Sequence, residues 1–216
     1  MTSKIKVYKD NPTSGDTDGT LVSSGDWSDP IHSGSIKVPD TGYEEGDWIK
    51  LAVRCDDGYE TVEEDNKYIT LSIKPHETSL DGSVSSGDSA ITVHDVGNLD
   101  KDRDIIIAPS TADEETHRIA SVSGSTLTLE DTLNNSHGDD TTVISASEEK
   151  WQLAPDDGAG NADEGNAEEW GSNKEITTQV NDTNYIFHIR ARAEAGEEPQ
   201  NNKTVQVKAQ AIVGEK

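Results

Sequence analysis

Hydrophobic and polar residues alternate with period two over much of the chain, most clearly near its end. Tyr185, Phe187, Ile189, Ala191 and Ala193 share one side of a segment whose other side carries His188, Arg190 and Arg192. Val205, Val207, Ala209, Ala211 and Val213 repeat the pattern over 204–213. Such alternation marks half-buried antiparallel strands. The connector between them holds Gly196, Pro199, Asn201 and Asn202, all turn formers, so the pattern predicts that these two strands pair with each other.

Two earlier segments read the same way. Over 48–55, Ile49, Leu51, Val53 and Cys55 alternate with Trp48, Lys50, Ala52 and Arg54, and Asp56-Asp57-Gly58 follows as a turn. Over 68–74, Ile69, Leu71 and Ile73 alternate with polar residues until Pro75 ends the run. Shorter strand signals lie at 4–8, 31–38 and 176–180, whereas 39–47 and 156–171 read as acidic loops. Between 79 and 146 the texture changes. Short apolar pieces at 90–93, 105–108, 117–122, 126–129 and 142–145 are separated by Gly, Asp, Asn and Ser clusters. Ser123-Gly124-Ser125 reads as a hairpin turn. No segment sustains a helical period.

The fold expected from this pattern is all-β. Residues 1–78 and 147–216 each supply about four strands, and each length alone would leave an apolar face uncovered. Together they predict one discontinuous β-sandwich, Ig-like or jelly-roll-like, with residues 79–146 inserted as a small β-barrel or roll.

Charge narrows the setting. Acidic residues number 43 against 18 basic ones, a net charge of −25, while hydrophobic residues make up only 31%. Nucleic acid and anionic membrane surfaces would repel such a chain, so neither is an expected partner. Low hydrophobicity with high charge is also the signature of disorder, but the alternating strands argue against it. A molar-salt environment accounts for the acidity better: there the Debye length falls to about 3 Å and like charges hardly repel. Cys55, the lone cysteine, rules out an intrachain disulfide and reads as a buried small hydrophobe. Neither a secretory signal nor a transmembrane run is evident, so synthesis in a cytoplasm is expected.

Candidate chemistry is sparse. His94, His117 and His137 lie in the insert without metal-ligand spacing, and no metal site is assigned to them. With 43 acids, carboxylate pairs such as Asp56/Asp57 carry no catalytic signal, and an enzyme is not expected. Asp16-Thr17-Asp18-Gly19 and the 156–163 loop are oxygen-rich and suit either a structural cation such as calcium or plain solvation. No other cofactor is implied. Arg54, Arg190 and Arg192 stand opposite the apolar rows, where they serve either intramolecular pairing or a subunit contact. Trp48 and Trp151 fall on strands, whereas Trp27 and Trp170 fall in polar loops and are candidate interface anchors.

The segments 84–93, 104–107 and 119–129, closed by 133–143, resemble a small β module of tailed-virus structural proteins. In that family a His–small–Gly step precedes the last strand; here the step reads His137-Gly138-Asp139-Asp140. The flanking Lys50–Arg54, Trp151–Ala154 and Arg190–Ala193 stretches are similar in texture to virion surface and tail proteins. With the acidity, the resemblance implies a virion protein of a tailed virus infecting a halophilic archaeon. It would be made in the host cytoplasm and be a homo-oligomer bound to other capsid or tail proteins. Its place would be the tail, the baseplate or the capsid surface as decoration. The alternative it implies is a host-surface recognition module for glycan or S-layer, with Trp27 or Trp170 exposed in a concave patch.

Overall fold

The computed structural model describes residues 4–22, 31, 36–97, 99–145, 150–195 and 205–216, with the backbone alone for Pro75, Val205 and Gln206. Among the described residues seventeen strands follow one another. They are β1 (Ile5–Lys9), β2 (Thr20–Leu21), β3 (Tyr43–Glu45), β4 (Ile49–Cys55), β5 (Tyr59–Val62), β6 (Ile69–Pro75) and β7 (Glu77–Ser79). Next come β8 (Ala90–Thr92), β9 (Asp104–Ile107), β10 (Glu115–Ser123), β11 (Thr126–Leu129) and β12 (Thr142–Ser145). The last are β13 (Trp151–Pro155), β14 (Lys174–Ile176), β15 (Tyr185–Glu194), β16 (Val205–Gln210) and β17 (Ile212–Glu215). A 3₁₀ turn, Glu164–Asn166, lies in the long loop after β13. The fold is all-β, and no helix among the described residues is long and apolar enough to cross a membrane.

The chain forms two compact units. One comprises Met1–Lys74, Glu148–Glu197 and Val207–Lys216; the other comprises Pro75–Ser147 with Glu198–Gln206.

In the first unit the main sheet runs β13-β15-β4-β1-β2, with β3 pairing the end of β15. Its apolar side is built by cross-strand neighbours: Phe187 opposite Leu51, Ile189 opposite Ile49 and Leu153, and Val7 opposite Val53. A three-stranded sheet, β14-β6-β16, buries Ile69, Leu71, Ile73 and Ile176. Both sheets thus bury an apolar face, as layered β folds do. The two lengths of chain do not form one layer each. They share every sheet of this unit, through β4–β15, β6–β14 and β5–β17 pairs.

The pairing of 185–193 with 204–213 is a correction. Both hydrogen-bonding edges of β15 are taken, by β13 on one side and by β4 and β3 on the other. The following segment therefore goes elsewhere, as β16 beside β6 and β17 beside β5. Three smaller expectations also change. Tyr43–Glu45 is a strand and not loop; Ile36–Val38 is not strand; and the late short strand is Lys174–Ile176.

The second unit has strand order β7-β12-β9-β10-β11-β8. An isolated bridge between Leu80 and Val93, with Asp81 N–H bonded to Thr92 O and His94 N–H to Ser79 O, joins the two outer strands. The sheet therefore closes into a small barrel, which leaves no long free edge. Its core holds Leu80, Ile91, Val93, Leu99, Ile105, Ile107, Ile119, Leu127 and Val143. The register of β10 shifts between Ile119 and Ser121, a bulge that lets one strand serve β9 with its first half and β11 with its second. Gly124, at φ +60°, opens the two-residue turn to β11.

Candidate functional site

The polar side of the main sheet gathers much of the chain's scarce positive charge. Lys6 lies opposite Arg54, Lys50 opposite His188, and Arg190 opposite Gln152, all on the side away from the core. The long acidic loop after β13 forms a strap along this region. Its backbone returns beside β13, with Asp163 N–H bonded to Pro155 O, Glu168 N–H to Leu153 O and Gly171 N–H to Trp151 O. These bonds satisfy the outer edge of a strand that would otherwise be open.

Strap side chains then fasten to the sheet. His188 Nε2 lies 3.1 Å from Asp156 Oδ2. Trp48 Nε1–H donates to Glu164 Oε1 at 3.0 Å, and Gln152 Nε2–H to Glu168 O at 2.7 Å. Arg190 is the centre of the arrangement. Its guanidinium lies 4.4 Å from the Trp48 ring centroid and 5.5 Å from that of Trp170, donates to Gln152 Oε1 at 2.8 Å and pairs with Glu45. Arg192 continues the row, 4.6 Å from Trp170, 5.4 Å from Tyr43 and 2.9 Å from Glu194 Oε1. Cations layered between aromatic faces rigidify this side of the sheet.

Arg54 is likewise engaged within the chain. It stacks 3.5 Å from the Tyr8 ring centroid and donates to Asp18 O at 2.7 Å and Asn184 Oδ1 at 2.6 Å. These bonds tie the oxygen-rich 16–19 loop to β4 and to Asn184. Asp18 accepts from Thr13 N–H and Thr13 Oγ1, each at 2.8 Å, which hold its carboxyl below the usual range. In the other oxygen-rich loop, Asp157 accepts from Ala159 N–H at 2.8 Å and Asn161 N–H at 3.1 Å, with the same effect. Of the tryptophans expected at an interface, Trp170 is half-buried against Arg190 and Arg192, and Trp27 lies outside the described residues.

Beside the strap a cleft of about 790 Å³ opens on this face, lined by Lys9, Trp48, Lys50, Asn161, Glu164 and His188 among others. Sequence reasoning missed it, because its walls come from five separate segments.

No family model matches the chain, and no curated protein is similar to it in sequence. Among solved structures, weak likeness includes a tailspike and a capsid protein. Over 35% of its length the chain resembles "Gp54 tailspike of Acinetobacter baumannii bacteriophage AP22 in complex with A. baumannii capsular saccharide", at 18% identity and TM-score 0.29. It spans 15% of that chain. Over 85% of its length, and 88% of the other chain, it resembles "VP17, a capsid protein of bacteriophage P23-77", at 11% identity and TM-score 0.20. At these TM-scores the roles of its residues rest on their own geometry.

The second unit holds a different polar centre. Glu115 and His117, two apart on β10, both point inward, and His137 reaches them from the last loop. His137 Nε2 lies 2.5 Å from Glu115 Oε1 and His117 Nε2 2.9 Å from Oε2. Asn134 N–H, Asn134 Nδ2 and Asn135 N–H donate to the same carboxylate at 2.7, 3.1 and 3.3 Å. Burial alone would raise the Glu115 pKa; the His137, Asn134, His117 and Asn135 hydrogen bonds overcome it and bring it down to about 2. His94 is not part of this centre. It faces Asp140 at 3.3 Å, and with Asp139 the three form an exposed group whose ligating atoms lie within 4.8 Å of one another.

Proposed function

We propose that the chain is a non-enzymatic structural protein of a tailed-virus particle, present in several copies on the tail, baseplate or capsid surface. The observation that carries this reading is the second unit. The stretch resembling the tailed-virus module closes into a barrel with its own core, set into a host unit that is also all-β. Small closed modules of this kind add a rigid surface without disturbing the sheet that carries them. Multiple copies would turn modest contacts into firm attachment.

The test is location. Antibody raised against the chain should label purified particles at repeated positions, and light scattering in molar KCl should report an oligomer. Absence of the chain from purified particles would overturn the proposal.

Host-surface glycan recognition is the second reading. The polar cleft beside Trp48 favours it, because it offers one aromatic ring among hydrogen-bonding groups.

A further inference from the structure

The cleft on the polar side of the main sheet contains an electrostatic imbalance. Lys50 is half-buried there, and among the described residues its ammonium has no carboxylate within ion-pair distance. In a chain with 43 acidic and 18 basic residues this is unexpected. Its neighbours on that side of the sheet are all engaged: Lys6 with Asp56, Arg54 with Asn184, Arg190 with Glu45 and Arg192 with Glu194. The strap presents Gly160, at φ +91°, where a Cβ would come within 2.9 Å of Lys50 Nζ. The strap thus makes room for the ammonium without giving it a counter-charge. Partial burial of an unpaired ammonium is unfavourable until something neutralises it.

The surrounding groups narrow what that is. Trp48 lines the cleft with its indole N–H already committed to Glu164 and Arg190 stacked over its ring. Its N–H is therefore not free to donate and Arg190 covers one ring face, so what Trp48 offers the cleft is the part of the ring that lines it. Asn11 and Asn161 contribute amides, and Asp10, Asp47 and Glu164, beside the engaged Lys9, contribute acceptors that suit hydroxyl groups and oppose bare multivalent anions. An aromatic surface, amides, hydroxyl acceptors and one unmatched cation together match a ring that carries both hydroxyls and a carboxylate.

We propose that this cleft binds an acidic saccharide, with a uronate carboxylate on the Lys50 ammonium and the sugar ring against Trp48. The pairing is a charge-assisted hydrogen bond, the strong kind. The proposal deepens the glycan-recognition reading and is independent of placement on a particle, so sugar binding and particle labelling fail separately.

The experiment titrates the full-length chain at fixed ionic strength by calorimetry and tryptophan fluorescence. The probes are trimers of galacturonate, guluronate and mannuronate, with maltotriose as the neutral control. At least one uronate trimer should bind saturably, and maltotriose should bind at least ten-fold more weakly. Lys50→Gln should weaken uronate binding at least ten-fold while keeping the parent circular dichroism and thermal midpoint, and Lys37→Gln, an exposed change, should leave binding intact. Equal affinity for maltotriose, an unaffected Lys50→Gln variant or no saturable binding by any uronate trimer would overturn the proposal.

Discussion

His137 and Glu115, 22 residues apart in sequence, meet inside the second unit with Nε2 2.5 Å from Oε1. The contact ties the last loop of the barrel to the start of β10, and the Asn134 and Asn135 donors come from the same loop. Removing the carboxylate leaves two buried imidazoles, two backbone N–H groups and the Asn134 amide without their acceptor. Glu115→Ala is therefore expected to cost about 3 kcal/mol, in the range for breaking a buried charged network. Urea titration followed by hydrogen exchange should place the loss in the second unit; an unchanged midpoint would contradict the role given to Glu115.

The same carboxylate sets an acid dependence. Its folded pKa of about 2 lies below the ordinary value of 4.5, so the charged form is favoured by folding. The resulting stability is fully present above about pH 4.5 and is lost as pH falls through about 2. The displacement corresponds to roughly 3 kcal/mol. Other carboxylates titrate in the same window, so the contribution of Glu115 is read as a difference. The urea midpoint of the parent should fall more steeply between pH 4.5 and 2 than that of Glu115→Gln, and parallel curves would refute the assignment.

Which parts of this architecture were readable in the sequence follows from what period two encodes. Alternation tells which residues of a strand share a side, and Leu51, Val53, Phe187 and Ile189 are buried as it indicates, with Ile49 half-buried at the start of its strand. It carries no information about which strand lies next, so β15 and β16 could not be seen to have different neighbours. The short strands of the second unit were legible because Gly, Asp and Asn turns bracket each one. The Glu115 centre left one trace: Glu115 and His117 occupy the same phase as Ile119, an inward row that opens with two polar residues. His137 gave none, since its approach is set by how the barrel closes. The cleft had no local signature, because the strap meets β1 and β4 only in the folded sheet.

Arg190 provides a third prediction. Arg190→Ala removes the cation between Trp48 and Trp170 and leaves Glu45 facing an empty site. Two cation–π contacts at about 0.5–1 kcal/mol each, with the lost ion pair and the Gln152 bond, give an expected loss of about 2 kcal/mol. Arg190→Lys keeps the charge without the planar stacking surface and should recover less than half of it. Tryptophan emission should shift to the red in both variants, and an unshifted spectrum would show that the indoles are not held by Arg190.

The charge balance makes the last prediction. Most of the 43 carboxylates lie on the surface, and the visible ion pairs use only the few cations available, such as Lys67 with Glu175 and Lys216 with Asp182. At about 0.1 M salt the Debye length is about 10 Å, so unpaired acids repel across a strand or a loop. At about 1 M it is about 3 Å, and that repulsion is confined to direct neighbours. The thermal midpoint should therefore rise by on the order of 10 °C between dilute buffer and molar KCl. Two causes can be separated. Screening saturates with ionic strength and is the same for sulfate and chloride, whereas strengthened apolar burial continues to grow and is larger for sulfate. A steep rise below 1 M common to both salts, followed by a slower rise favouring sulfate, is the expected record. A midpoint that does not move with KCl would mean that the fold tolerates a net charge of −25 in dilute buffer, and would remove the physical basis for a high-salt habitat.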